Sequence, residues 1–281
     1  MGALGPMTDV TVTLQTGRTV TFEVDLDLDP PAFFVLSIRK SGSTMVNEVV
    51  TAMAIATGRR SVEVGTTLFH SNVLEIDYRE DPGLLDILHP GNVYGGFRLM
   101  PRIFAESQLF RASPKILFVR DPRDALVSGY FSNAFSHPIP AAGPEGNEVT
   151  EQLQRQRTRA LALNIDQWVT RNAADFNMNM LEFAPFVGEP STLLLKYEDC
   201  IFDKGTMMRE IARHFDWEID DELIGLILEW ADVRPEKEDP KEFIRQVTPG
   251  DHGNKLRADT IATITKILEP GMDLFGYAAS S

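Results

Sequence analysis

The sequence predicts a single α/β domain built on a central, mostly parallel sheet with helices on both faces. Three observations carry that expectation. The apolar run AFFVLSI at residues 32–38 is too short for a helix and suits a strand covered on both sides, and helical spacing resumes just after it. The same unit recurs at residues 115–131, KILFVRDPRDALVSGYF, and a third apolar strand, STLLLKYEDC, covers 191–200. Long helical stretches, 151–183 and 206–231, separate or follow these strands, as in parallel sheets joined by helical crossovers.

The elements follow in order. MGALGPM reads as a disordered lead or an expression remnant; it lacks the basic start and apolar core of a signal peptide, and Pro6 stands where N-myristoylation needs Ser or Thr. Residues 9–24 alternate polar and apolar side chains around a Gln-Thr-Gly-Arg break, the period of an exposed hairpin. Residues 1–29 are therefore set apart as an N-terminal extension, and 30–281 as the main domain. After the first strand, Met45, Val46, Val49, Val50 and Met53 recur at helical spacing, and Gly58 is placed to end the helix. In the second unit, Asp121 is expected to cap a helix that has Pro122 at its first position, with Arg123 and Asp124 as a solvent-exposed pair. The Gly- and Pro-rich stretch at 136–148, SHPIPAAGPEGNE, reads equally as a mobile lid or a disordered connector.

Composition removes several function classes. The formal charge of −14 argues against a general nucleic-acid or acidic-membrane surface, so any anion must be held locally. One cysteine, Cys200, excludes an internal disulfide and any cysteine cluster for a metal. No apolar run is long enough to span a membrane, and a cytoplasmic protein is expected. Trp168 is read as core, and Trp217 and Trp230 carry no signal separable from packing.

The chemistry concentrates at the strand ends, where ligands of open α/β sheets bind. After the first strand the chain reads SIRKSGST. Gly42 would allow close backbone approach to an anion, Ser43 and Thr44 would add hydroxyl donors, and Lys40 a full charge, all at a helix N-terminus. Helix capping by the same Ser and Thr is the alternative. A P-loop nucleotide kinase is a poorer match, because its lysine follows the last glycine whereas Lys40 precedes Gly42.

KSGST after a short strand resembles the 5′-phosphosulfate loop of the sulfotransferases that use 3′-phosphoadenosine 5′-phosphosulfate (PAPS). RDPRDALVSGYF, with Arg120 and Ser128 eight apart, is similar to that family's 3′-phosphate segment. Lys196-Tyr197-Glu198-Asp199 resembles its Tyr-Glu-Asp strand end, and IRQVTPGDHGNK, with Arg245, Gly250, Asp251 and Lys255, its C-terminal loop. The resemblance implies a P-loop-NTPase-like sulfotransferase fold and transfer of a sulfuryl group from PAPS to a hydroxyl or amine of a small molecule, leaving 3′,5′-ADP. It implies that Lys40 neutralises the departing phosphate oxygen and that residues 41–44 hold the 5′-phosphate. Arg120, Ser128 and Arg245 would hold the 3′-phosphate, and Arg39, Ser41, Tyr197 and Gly250 complete the cofactor-binding set. No metal is expected and none of the partners is a nucleic acid or a membrane; self-association into a homodimer is left open. A noncatalytic nucleotide-binding module is the other reading. It draws on one departure: where the family carries a histidine base, YGGFRLMP at 94–101 has Phe97, Arg98 or Leu99, so His70, His89 or a carboxylate takes the acceptor proton, or the acceptor class differs. Arg98 is accordingly a candidate for an anionic acceptor or a solvated surface arginine.

Overall fold

The computed structural model describes residues 7–29, 31–141 and 147–277. The opening lead at 1–6 and the middle of the 136–148 stretch lie outside the described residues. Strands β3 (Phe33–Ser37), β4 (Ser61–Glu63), β5 (Val93–Gly95), β6 (Lys115–Val119) and β7 (Thr192–Lys196) form one sheet in the order β4-β5-β3-β6-β7. Every pairing in it is parallel. All five residues of β3 and all five of β6 are buried, which is why they read as unbroken apolar runs. The two strands missed by periodicity, β4 and β5, have three residues each, too few to display a period.

Strands β1 (Met7–Thr13) and β2 (Thr19–Asp25) form the expected antiparallel hairpin, but it is not merely an exposed ornament. Val12, Val20, Phe22 and Val24 point into the same apolar cluster as Phe34 and Leu36 of the central strand. Polar ties add to this: Gln15 N donates to Asp81 Oδ2 at 2.6 Å, and the buried Asn92 side chain exchanges hydrogen bonds with the backbone of Asp25.

Helix α1 (Ser43–Ala56) buries its Val46, Val49, Val50 and Met53 against the opposite sheet face, and Gly58 just past its end takes the left-handed conformation expected of it. Short helices α2 (Val64–His70), α3 (Glu75–Tyr78) and α4 (Gln108–Ala112) lead to α5 (Pro122–Phe131), whose Asp121 cap accepts from Arg123 N at 2.9 Å. The stretch from 151 to 183 is two helices, α6 (Glu148–Leu161) and α7 (Ile165–Leu181), because Asn164 and Gln167 build a capping box between them. The third strand stops at Lys196, and Tyr197–Cys200 is a single helical turn, α8. The 206–231 stretch likewise divides into α9 (Lys204–Phe215) and α10 (Asp221–Ala231), separated by Asp216 in the left-handed region and a new cap at Asp220. Short α11 (Asp251–Lys255) and long α12 (Ala258–Leu274) close the chain, α12 lying on α7.

Close backbone approach decides one junction at the strand ends. A Cβ on Gly65, at the start of α2, would stand 2.1 Å from the Gly96 carbonyl oxygen. Gly65→Ala is expected to lower stability by roughly 1–3 kcal/mol through forced backbone movement. Gly225→Ala, at a helical position with open space around it, is expected to raise stability by about 0.5–1 kcal/mol. Urea denaturation of the two variants checks both signs; equal effects would mean that the contact at Gly65 is not tight.

Candidate active site

The loops that leave the five parallel strands converge on a cavity of about 470 Å³. The turn after β3 enters it in an unusual conformation. Lys40 has φ 64° and Gly42 φ 93°, both left-handed. For a lysine that conformation costs roughly 1–2 kcal/mol, so the fold holds Lys40 where it would not otherwise rest. At Gly42 a Cβ would in addition press on the Tyr197 ring at 3.3 Å and the Phe118 ring at 3.4 Å. Among the described residues no side chain caps α1, and Gly42, Ser43, Thr44 and Met45 at its start line the cavity, where its first N–H groups are open to a ligand. Ser41 does not; it turns inward, and both its N–H and its hydroxyl donate to the Ile38 carbonyl, at 3.2 and 2.7 Å.

Arg120 leaves β6 beside this turn. Its guanidinium lies 4.3 Å from the centre of the Tyr197 ring, and Nη1 makes a long 3.5 Å contact with the Lys40 carbonyl. Nε of Arg120 is buried and has no partner among the described residues. Tyr197 is fixed in turn by donating to the Val247 carbonyl at 2.8 Å. Ser128, two turns along α5, reaches the same wall, and Gly129 next to it leaves room for the Lys40 stem and the Trp168 ring.

The cations crowd one another. Burial, followed by the positive charges of Arg98, Arg120, Arg39 and Arg245, pulls the Lys40 ammonium down to about 8, and among the described residues no carboxylate is ion-paired to it. Such a site gains when an anion enters it. The carboxylates nearby are committed elsewhere. Glu75 pairs with Arg39 at 2.8 Å and accepts the Arg98 N–H at 3.0 Å. Asp124, buried rather than exposed as its sequence setting suggested, accepts Gly250 N at 2.6 Å, His252 N at 2.9 Å and His252 Nδ1 at 2.7 Å. Arg123 is buried with it and bonds Asp121 through Nη2 at 2.6 Å.

The sulfotransferase domain profile matches residues 30–276 of this chain. The chain belongs to the sulfotransferase family. Among solved structures it is similar to mouse sulfotransferase SULT7A1 complexed with PAP, at 16% identity over 90% of this chain and 91% of that one, with a TM-score of 0.53. It is also similar to retinol dehydratase in a complex with retinol and PAP, at 16% identity, 95% and 90% coverage and a TM-score of 0.49. A third is the sulfotransferase domain from the Synechococcus PCC 7002 olefin synthase, at 15% identity, 91% and 98% coverage and a TM-score of 0.40. No curated protein sequence matches at a significant level.

The remaining candidates of the sulfotransferase site divide by position. Arg39, Lys40, Gly42, Ser43, Thr44, Arg98, Arg120, Ser128 and Tyr197 all line the cavity, whereas Ser41, Arg245 and Gly250 do not. Arg245 stands next to it, buried over the Phe131 ring at 4.2 Å and ion-paired to Glu238 and Asp251. Neither His70 nor His89 lines the cavity, and Phe97 is core. Others that line it include His137, from the stretch read as a lid or connector, and Trp230 and Phe243, which carry no functional signal in sequence. Phe243 lies in a coil with no period, and Trp230 at the end of an apolar helix pattern that packing alone explains. Among the described residues no group of three His, Cys, Asp or Glu side chains comes together to hold a metal ion.

Asp124 joins α5 to a turn more than a hundred residues later, so its charge is structural. Burial raises its pKa, but the His252 side chain and backbone, Arg120 and Gly250 together outweigh that and hold it below the ordinary 3.8. Asp124→Asn is expected to lose on the order of 1.5–3 kcal/mol at neutral pH. Because the folded carboxyl titrates below the unfolded one, the wild-type advantage is complete above pH 3.8 and shrinks as the pH falls through the lower folded value. Urea midpoints of both proteins across the acid range measure it; a constant difference down to the lowest pH would contradict the assignment.

Proposed function

We propose that the chain transfers a sulfuryl group from PAPS to a hydroxyl or amine of a small-molecule acceptor and releases 3′,5′-ADP. The observation that carries this reading is the meeting of Lys40 and Arg120, from the ends of the neighbouring strands β3 and β6, on one cavity wall, with no carboxylate among the described residues ion-paired to Lys40. A nucleotide with phosphates at both ends needs two cation sites of this kind. The orphaned Nε of Arg120, the open first turn of α1 and the glycine at 42 all fit such a ligand. PAPS supplies an electrophilic sulfur on a phosphate leaving group.

In this reading the N–H groups at the start of α1, with Ser43 and Thr44, bind the 5′-phosphate. Lys40 stabilises the charge that develops on the departing oxygen, which is the electrostatic part of catalysis. Arg120 and Ser128 take the 3′-phosphate, and Tyr197 orients the Arg120 fork from beneath. Arg245 joins them by exchanging Glu238 or Asp251 for phosphate. Ser41 and Gly250 act through the backbone turns they form, and Arg39 keeps its pairing with Glu75. Trp230 and Phe243, 46% and 56% exposed at the rim, offer ring faces to a purine. A cytoplasmic setting belongs to the same reading; among the described residues no helix is long and apolar enough to cross a membrane.

Thermal-shift titrations with 3′,5′-ADP, 5′-AMP and ATP with magnesium test the ligand: 3′,5′-ADP is expected to stabilise most. Arg120→Ala should weaken 3′,5′-ADP by about 10- to 100-fold, as one charge-assisted contact implies, and leave 5′-AMP nearly unchanged. Equal losses for both nucleotides would remove Arg120 from the 3′-phosphate. Lys40→Ala should abolish PAPS turnover across a panel of alcohols, phenols and amines.

The depressed Lys40 gives a pH signature. An ammonium that titrates near 8 is charged below that pH and neutral above it, and a bound phosphate favours the charged form. Affinity for 3′,5′-ADP is therefore expected to be greatest below about pH 8 and to decline above it. Calorimetric titration of Lys40→Arg, which stays charged, should yield a flatter profile; an unchanged decline would assign the effect to another group.

A further inference from the structure

Of the five histidines in the sequence, His137 is the one on the cavity wall. Helix α5 does not end at Phe131 but runs into a wider π turn, Ser132–Ser136, whose last bond runs from His137 N to the Ser132 carbonyl at 2.9 Å. The wider turn brings Ser128, Ser132, Asn133 and His137 to one wall, and turns of this kind recur at functional sites. Two contacts hold the histidine. Nη2 of Arg157 grips its carbonyl at 2.5 Å, and its ring stands edge-on to Phe69, another wall residue, at 6.3 Å.

Four cations bear on His137: Lys40 and Arg39 from the turn after β3, Arg98 from the loop after β5 and Arg157 from α6. Burial first, then these charges, lower its pKa to about 4, so the imidazole is neutral at physiological pH. A neutral ring nitrogen accepts a proton. The rival carboxylates are less suited: Glu75 is bound by Arg39 and the Arg98 N–H, and Glu48 is exposed at the rim.

We infer that His137 is the general base for the acceptor, and that occupancy of the nucleotide site switches its basicity on. The inference rests on the sulfuryl-transfer reading above. The acceptor O–H gives its proton to the imidazole while the oxygen forms its bond to sulfur. The bond from sulfur to the phosphate oxygen breaks, and its electron pair leaves with 3′,5′-ADP. Bound phosphate offsets Lys40, the foremost of the charges that suppress His137, so the ring becomes a better base when the donor is in place. This also explains how the chain dispenses with a histidine in the segment at 94–101.

Two readouts test it on the full chain. In protein labelled with ¹³C-histidine, the His137 resonance is identified by its loss in His137→Gln. It should titrate near pH 4 in the free protein and move up by about a pH unit or more in saturating 3′,5′-ADP. In turnover with PAPS, His137→Gln should lose about 100-fold or more in kcat on benzyl alcohol while the KM for PAPS stays within about threefold. On 4-nitrophenol, already ionised at pH 8, the loss should shrink to a few-fold, which a merely structural role would not produce. Bound 3′,5′-ADP with an unmoved His137 resonance overturns the inference, and so does full turnover of benzyl alcohol by the variant. Should neither probe be turned over by the wild type, the titration alone decides. Absence of 3′,5′-ADP binding to the wild type, by contrast, sinks the functional reading itself.

Discussion

Positive charge gathered at the carboxyl ends of parallel strands is the constraint around which this molecule is organised. Lys40, Arg98 and Arg120 come from three different strand ends and share one partly enclosed cavity. Burial and mutual repulsion both disfavour the charged forms there, and the depressed Lys40 reflects both. The chain as a whole is acidic, with a formal charge of −14, so the arrangement is local and opposed to the average. An enclosure with that imbalance favours a ligand of high negative charge density, and a nucleoside carrying a 3′-phosphate and a 5′-phosphosulfate is such a ligand.

The acidic residues near the cavity work from behind. Asp124 ties the start of α5 to the turn at 250–252, Glu75 ties Arg39 to the loop carrying Arg98, and Glu198 holds Asp121 N at 2.9 Å. These carboxylates mainly fix backbone or an outer cation; of the inner cations only Arg120 has one within reach, Asp124 Oδ2 at 3.9 Å. Tyr197 completes the support: its ring lies under both Gly42 and Arg120, and its hydroxyl is anchored at Val247. Rigid support matters in the proposed reaction, because stabilising a developing charge requires groups that are oriented beforehand.

Much of the fold was legible because it follows from runs of apolar residues long enough to show a period. The strands at 33–37 and 115–119 and the hairpin could be read that way, as could α1 and the capped start of α5. Strands of three residues could not, and helix breaks at 162–164 and 216–220 were hidden where caps interrupt a pattern that is apolar on both sides. The burial of Arg123 and Asp124 was misread for a related reason. Charged residues at a helix start are exposed unless something distant covers them, and the covering turn at 250–252 is remote in the chain.

The sequence by itself determined the family and the turn that sets Lys40, Gly42, Ser43 and Thr44 side by side, because that turn is a local object: a strand end, a glycine turn and a helix start lie within ten residues. What tertiary structure decided is everything that depends on sites far apart in the chain. It joined Lys40 to Arg120, turned Ser41 away from the cavity, engaged Arg245 with two carboxylates and set His137, Trp230 and Phe243 on the wall. Side-chain direction and charge environment arise from packing between distant segments, and no pattern along a single strand or helix encodes them.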